Sequence, residues 1–173
     1  MVDVSFLQSL SYVAAAIGVC VAAFYYMLVL REQRKNTKLT LETRQAQLFM
    51  QIYNAYNSRD FQQAYGVIMD MKFDNFDDFY KKYWNREYLD VMNKYSTFLE
   101  GMGILLYNNL IDKMLLYDLT WAEVLNTDKK FRRAHIGEII REKNNQPDLY
   151  KYQDFLCEEF YRIYESKFGR KFS

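Results

Sequence analysis

The sequence predicts an all-α protein, with a single N-terminal transmembrane helix followed by a cytoplasmic bundle of about five to seven helices. Three observations lead to this fold class. The stretch from Val4 to Leu30 contains no Asp, Glu, Lys, Arg or His, and a bilayer core needs roughly 20 apolar residues of helix. The chain has 6 glycines and 1 proline, so few residues interrupt helices. Apolar residues recur at three- and four-residue steps, and no segment alternates Val, Ile and Thr as a strand would.

The charges beside the apolar stretch predict its orientation. Asp3 is the one charged residue before it, whereas four basic residues follow closely: Arg31, Arg34, Lys35 and Lys38. Because positive flanks stay in the cytoplasm, we expect the N-terminus outside and the rest of the chain at the inner face of the cytoplasmic membrane. The same four side chains are candidates for contact with lipid head groups. A cleaved secretory signal is disfavoured, because Asp3 lies where such a signal carries positive charge.

Three small residues occur at four-residue spacing on one face of the predicted span: Ala14, Gly18 and Ala22. Small residues allow the backbone of a second helix to approach closely, so this stripe is a candidate docking surface for a partner span or a second copy of the chain. Ala and Gly are also common in membrane helices in general. Both interpretations of the stripe remain open.

The sequence divides into an anchor at residues 1–30, a basic juxtamembrane segment at residues 31–38 and a cytoplasmic α-helical domain at residues 39–173. Within that domain the apolar periodicity predicts a first helix from Leu39 to Asn57 and a last helix from Leu149 to about Phe168. The helices between these two are predicted to begin at residues whose side chains can cap a helix N-terminus: Ser58, Asp74, Asn85, Asp112 and Thr120. Thr120 opens the pattern T-x-x-E of a capping box.

Two polar residues occur among the apolar positions of the predicted helices, and both are candidates for buried polar groups. Glu100 is either at the edge of the apolar arc, where water or an arginine satisfies it, or an acid whose pKa is raised by burial. His135 has Phe131 and Ile139 at four-residue steps, which favours a histidine packed in the core.

The composition excludes several classes of site. The net charge of +1 favours no nucleic-acid partner, and the single histidine excludes metal sites that need several. Cys20 and Cys157 lie on opposite sides of the predicted boundary, so no disulfide is expected. Phosphate loops, dinucleotide fingerprints and nucleophile elbows are absent from the sequence. We therefore predict no catalytic, cofactor-binding or metal-binding residues, and no enzymatic activity.

The segment from Tyr95 to Phe160 resembles a family of small prokaryotic membrane proteins of uncharacterised function. The resemblance rests on STFLEGMGILLYNNLID (Ser96 to Asp112), on the helix around Trp121 and on QPDLYKYQDF (Gln146 to Phe155). It implies an N-terminal anchor on an all-helical domain and implies no activity.

Two functional hypotheses follow, and both place the chain in contact with membrane lipid. The first is a membrane-anchored interaction protein, an accessory or scaffold subunit that binds a membrane-protein partner or self-assembles. The second is a membrane-tethered sensor with a ligand pocket among its Tyr- and Phe-rich helices, where Glu100 or Tyr107 would supply polar groups. An enzyme that uses carboxylates and tyrosines is the least favoured hypothesis.

Overall fold

The computed structural model describes the backbone of residues 4–172, together with the side chains of residue 8 and of residues 10–172. This part of the chain forms α-helices and no strand, which confirms the all-α prediction. The helices are α1 (Val4–Tyr56), α2 (Arg59–Asp70), α3 (Phe76–Tyr83), α4 (Arg86–Tyr107), α5 (Lys113–Arg133), α6 (Ile136–Asn144) and α7 (Lys151–Phe168). Asp3, which contributes to the predicted orientation, lies outside the described residues.

Helix α1 is continuous through the basic segment at residues 31–38. Its threonines at 37, 40 and 43 donate their hydroxyl hydrogens to the carbonyl four residues earlier, at 2.8–2.9 Å, a bond compatible with an unbroken helix. Among the described helices, α1 alone is long and apolar enough to cross a membrane, and its most apolar window has a mean hydropathy of 2.3 and is 0% buried. The chain divides into two compact units, Met1–Arg44 and Gln45–Ser173.

Most of the predicted N-caps of the second unit are confirmed. The Ser58 hydroxyl accepts a hydrogen bond from Phe61 N at 3.2 Å, and the Asn85 side chain accepts one from Tyr88 N at 3.2 Å. For α3 the predicted cap Asp74 is wrong by one residue. Asn75 has the extended backbone of an N-cap and accepts from Asp78 N at 3.0 Å.

The predicted boundary at Thr120 is wrong, because α5 runs through this residue. Asp112 caps α5 by accepting from Met114 N at 2.8 Å and Leu115 N at 2.9 Å. Thr120 is buried, and its hydroxyl donates to the Leu116 carbonyl at 3.0 Å within the helix. The chain instead leaves the helix after Arg133 and begins α6 at Ile136.

The core of the second unit forms mainly where α4 and α7 pack. Helix α4 contributes Tyr95, Leu99, Met102 and Leu106, and α7 contributes Leu156, Cys157, Phe160 and Ile163. The two backbones come very close at Gly103, where an added Cβ would lie 2.0 Å from the Tyr152 carbonyl oxygen. This contact fixes the first turn of α7 against the C-terminal part of α4.

Candidate functional site

The small-residue stripe and the basic flank both lie on the exposed surface of α1. The side chains of Ala14 and Ala22 are exposed, and a Cβ added to Gly18 would meet nothing within 4 Å. The four basic residues at 31, 34, 35 and 38 are exposed as well, and Lys38 Nζ lies 3.7 Å from Glu42 Oε1. The surface is therefore open to a partner helix or to head groups, and both roles stay predictions.

Glu100 binds the backbone of another helix. Its half-buried carboxylate accepts hydrogen bonds from Tyr152 N at 3.3 Å and from Gln153 N at 2.7 Å. These amides belong to the first turn of α7, whose N-cap residue Tyr150 makes no side-chain capping bond. A carboxylate at this position satisfies amides that lack a partner within the helix and complements the positive end of the helix dipole. Glu100 is thus a helix cap supplied by α4, and its partner is not an arginine.

We expect Glu100→Gln to lower the free energy of unfolding by about 1 kcal/mol, because the variant loses the charge that complements the α7 N-terminus. Chemical denaturation of the full chain in detergent, followed by circular dichroism, measures this change. Glu165→Gln makes the same substitution at an exposed position of α7 and should change the value by less than about 0.5 kcal/mol. Equal effects of the two substitutions would contradict the capping role.

His135 is not packed in the core, and the prediction of a buried histidine is wrong. Its side chain is 67% exposed, and Nδ1 lies 2.6 Å from Glu138 Oε2. The residue has φ 51° between α5 and α6, so Phe131 and Ile139 belong to different helices. The four-residue spacing that predicted a buried face therefore spans a break in the helix.

A cavity of about 400 Å³ lies among α2, α4, α5, α6 and α7 of the second unit. Four buried residues form its floor: Ile68, Tyr95, Thr127 and Ile136. The Tyr95 hydroxyl lies 3.0 Å from Thr127 Oγ1 and donates to the Glu123 carbonyl at 3.2 Å, and burial raises the pKa of Tyr95. The floor is thus apolar, and its tyrosine hydroxyl already has partners.

Charged side chains also line the cavity, and several of them pair with one another. Arg132 Nε donates to Asp128 Oδ2 at 2.9 Å, and Arg141 Nη2 donates to Asp154 Oδ2 at 2.5 Å. Burial raises the pKa of Asp154, an effect that the Arg141 guanidinium opposes. Two buried polar atoms, Arg141 Nε and Gln153 Oε1, have no hydrogen-bond partner among the described residues.

A family model described as "Domain of unknown function (DUF4760)" matches residues 12–160. The chain belongs to this family. The match confirms the part of the resemblance that predicted a family of unknown function, whereas its membrane anchor and prokaryotic origin stay predictions. Neither a curated protein nor a solved structure matches the chain.

The DUF4760 match contains every residue that lines the cavity, as well as the small-residue stripe of α1. The described part of the domain holds no group of three His, Cys, Asp or Glu residues placed to bind a metal ion. Cys157 is fully buried in the DUF4760 core, and burial raises the pKa of its thiol. What the geometry offers is a partly open volume of about 400 Å³, lined by charged side chains of which several are paired.

The sequence predicted a ligand pocket among the Tyr- and Phe-rich helices of the DUF4760 domain, but not the residues that line this cavity, apart from His135, which it singled out for another role. Arg141 and Asp154 are on different helices and thirteen positions apart, so no local motif joins them. The expected polar groups are elsewhere, since Glu100 caps α7 and Tyr107 is exposed against Tyr152 and Phe155.

Proposed function

We propose that the chain is a single-pass, membrane-anchored interaction protein with an accessory or scaffold role. In this proposal α1 crosses the cytoplasmic membrane with its N-terminus outside. The helical unit at the inner face binds a larger membrane complex or another copy of the chain. The observation that carries the proposal is the apolar surface of α1, whose most hydrophobic window is 0% buried.

An apolar surface of this size is unfavourable in water. Val19 is 69% exposed, and the neighbouring large side chains Ile17 and Val21 are 60% and 63% exposed. Removing one such side chain from water is worth about 1.5–3 kcal/mol, and soluble monomers rarely expose contiguous apolar patches larger than a few hundred Å². A bilayer around α1 removes the whole apolar surface from water. This supports a membrane anchor over a helix that is exposed to water.

The stripe and the basic flank support the rest of the proposal. Small residues at 14, 18 and 22 leave room for a second backbone, which favours association between spans. The basic residues at 31–38 favour the cytoplasmic side and anionic head groups, at about 1 kcal/mol for each residue near the surface. Together they support a chain that is both anchored and associated with another membrane helix.

The test has two stages and uses the full chain in its native membrane. We expect the chain to stay in the membrane pellet during an alkaline carbonate wash, because a spanning helix is held by its apolar surface. After mild detergent extraction, light scattering should give a protein mass above the 20.9 kDa of one chain, or a co-purifying partner. Release by the wash would contradict the anchor, and a clean monomer would contradict the interaction role.

A matched pair of substitutions tests the stripe. Ala14→Ile adds bulk within the stripe, whereas Ala16→Ile adds the same bulk about 200° further around the helix. We expect Ala14→Ile to weaken association by about tenfold, which corresponds to about 1.4 kcal/mol, and Ala16→Ile to have no effect. Equal behaviour of the two variants would contradict docking through this face.

A membrane-tethered ligand-binding module is the second candidate function. The observation that favours it is the cavity in the helical unit, whose volume of about 400 Å³ lies in the range of small-molecule sites. The two candidates are compatible, since one concerns α1 and the other concerns the second unit.

A further inference from the structure

Of the five helices that line the cavity, α6 has the fewest buried residues. Ile136 is buried and Ile139 and Ile140 are half-buried, whereas α4, α5 and α7 have five, six and five buried residues. Elements with few buried apolar contacts open at a lower free energy than the core around them. Helix α6 is therefore the wall of the cavity that opens most easily.

Both ends of α6 have a backbone suited to a hinge. His135 precedes the helix with φ 51°, and Asn145 follows it with φ 51°. This left-handed conformation is unfavourable for most residues other than glycine, so neither residue resists a change of φ once the helix is released. Hinges are typically a few residues at the ends of elements that absorb such changes.

Two side chains in the second half of α6 bind other helices. Arg141 Nη2 donates to Asp154 Oδ2 of α7 at 2.5 Å, and the two side chains are 24% and 38% exposed. Lys143 Nζ lies 4.4 Å from the ring centroid of Phe76 and 5.1 Å from that of Tyr80, both in α3. These are distances of cation–π contacts. Because the charged groups regain water when such contacts break, α6 can separate here without exposing the core.

Opening of α6 would remove one wall of the cavity. The helix supplies six lining residues: Ile136, Gly137, Glu138, Ile140, Arg141 and Asn144. The buried floor residues Ile68, Tyr95 and Thr127 belong to α2, α4 and α5 and would stay in place. The partly open cavity would then become a wide groove that a molecule can enter from the side of α6.

We propose that α6 is a hinged lid over this cavity. It opens about His135 and Asn145 while α4, α5 and α7 stay packed, and the ion pair between Arg141 and Asp154 holds it closed. The lid regulates access to the site of the second candidate function, and this role rests on ligand binding there. The motion itself is tested without a ligand, so that the two can fail separately.

Hydrogen exchange of the full chain in detergent, measured by mass spectrometry, tests the motion. An amide exchanges at a rate set by the population of molecules in which its hydrogen bond is open. After correction for the intrinsic rate of each amide, we expect α6 to exchange at least about a hundredfold faster than the centres of α4 and α7. Equal protection of the three helices would overturn the proposal.

Arg141→Met tests the contact that holds the lid, because it removes the charge and keeps a long side chain. We expect it to raise the exchange rate of α6 about tenfold, equivalent to about 1.4 kcal/mol, and to leave the centres of α4 and α7 unchanged. Asp154→Asn should give the same increase, and the double variant should add little to either, since both substitutions break one contact. Additive effects, or an equal rise in α4, α6 and α7, would overturn the proposal.

Arg162→Met is the matched control. It makes the same substitution in α7, where the arginine pairs with Glu158 and Glu159 of its own helix. We expect α6 to exchange at the native rate in this variant. A rise as large as that in Arg141→Met would mean that loss of any nearby charge is sufficient, and the proposal would fail. The exchange of the unaltered chain decides if Arg141→Met does not fold.

Discussion

Gly103→Ala should lower the free energy of unfolding by about 3 kcal/mol, because the new methyl group has no space. The added Cβ would lie 2.0 Å from the Tyr152 carbonyl oxygen and 2.5 Å from its carbonyl carbon. These are backbone atoms, so no side-chain rotation relieves the overlap, and α4 must move away from α7. The movement would also separate the Glu100 carboxylate from the α7 amides that it binds at 2.7 and 3.3 Å.

Thermal unfolding of the full chain in detergent measures the effect, and a loss of about 3 kcal/mol corresponds to roughly 6–12 °C for a protein of this size. Gly101→Ala is the matched control, since a Cβ there would meet nothing within 4 Å. Alanine is the better helix former by up to about 1 kcal/mol, so this control should raise the unfolding temperature. If both substitutions shifted the unfolding temperature in the same direction, this result would contradict the close contact between α4 and α7.

Phe79→Ala should lower the free energy of unfolding by about 3–5 kcal/mol, the usual range for removal of a fully buried ring. Phe79 is 0% exposed. Its ring packs near one ring that precedes α3 in the chain, one that follows α3, and one from α5. The centroids of Phe73, Phe131 and Trp84 lie 5.1, 6.1 and 6.4 Å from its own. The cavity left by the missing ring would therefore be lined by aromatic groups that are held by other contacts and cannot collapse into it.

Tyr80→Ala removes a ring of similar size at the next position and is the control for Phe79→Ala. Tyr80 is 46% exposed, although it stacks on Trp84 at 5.1 Å. We expect Tyr80→Ala to lower the free energy of unfolding by about 1 kcal/mol, the contribution of an aromatic pair near the surface. Chemical denaturation of both variants under identical conditions gives the comparison, and similar losses would show that α3 is not part of the core.

Local features predicted most of the fold. The caps at Ser58, Asn85 and Asp112 are confirmed because each depends on a side chain bonding an amide two or three residues later, which the sequence alone determines. The capping box at Thr120 failed because the flanking residues Leu116, Tyr117 and Val124 are all buried. Burial of one continuous face kept α5 intact, and tertiary packing overrode the local pattern.

The break between α5 and α6 and the exact start of α7 were harder to predict, because residues without a glycine-like preference adopt positive φ there. His135 has φ 51° and Tyr150 has φ 63°, a conformation that costs a non-glycine residue roughly 1–2 kcal/mol. Such residues give no turn signal in the sequence. The residues that line the cavity could not be predicted, since five helices supply them and only the packing of those helices brings them together.

The complete burial of Cys157 gives the helical unit an intrinsic reporter of its own opening. A thiol reagent in water reaches this sulfur only after α7 has separated from its neighbours. The rate of its modification therefore follows the population of opened molecules. Cys157 is on α7, the helix that Glu100 caps and Gly103 contacts. The rate of its modification therefore measures the stability of the packing between α4 and α7 in the native chain.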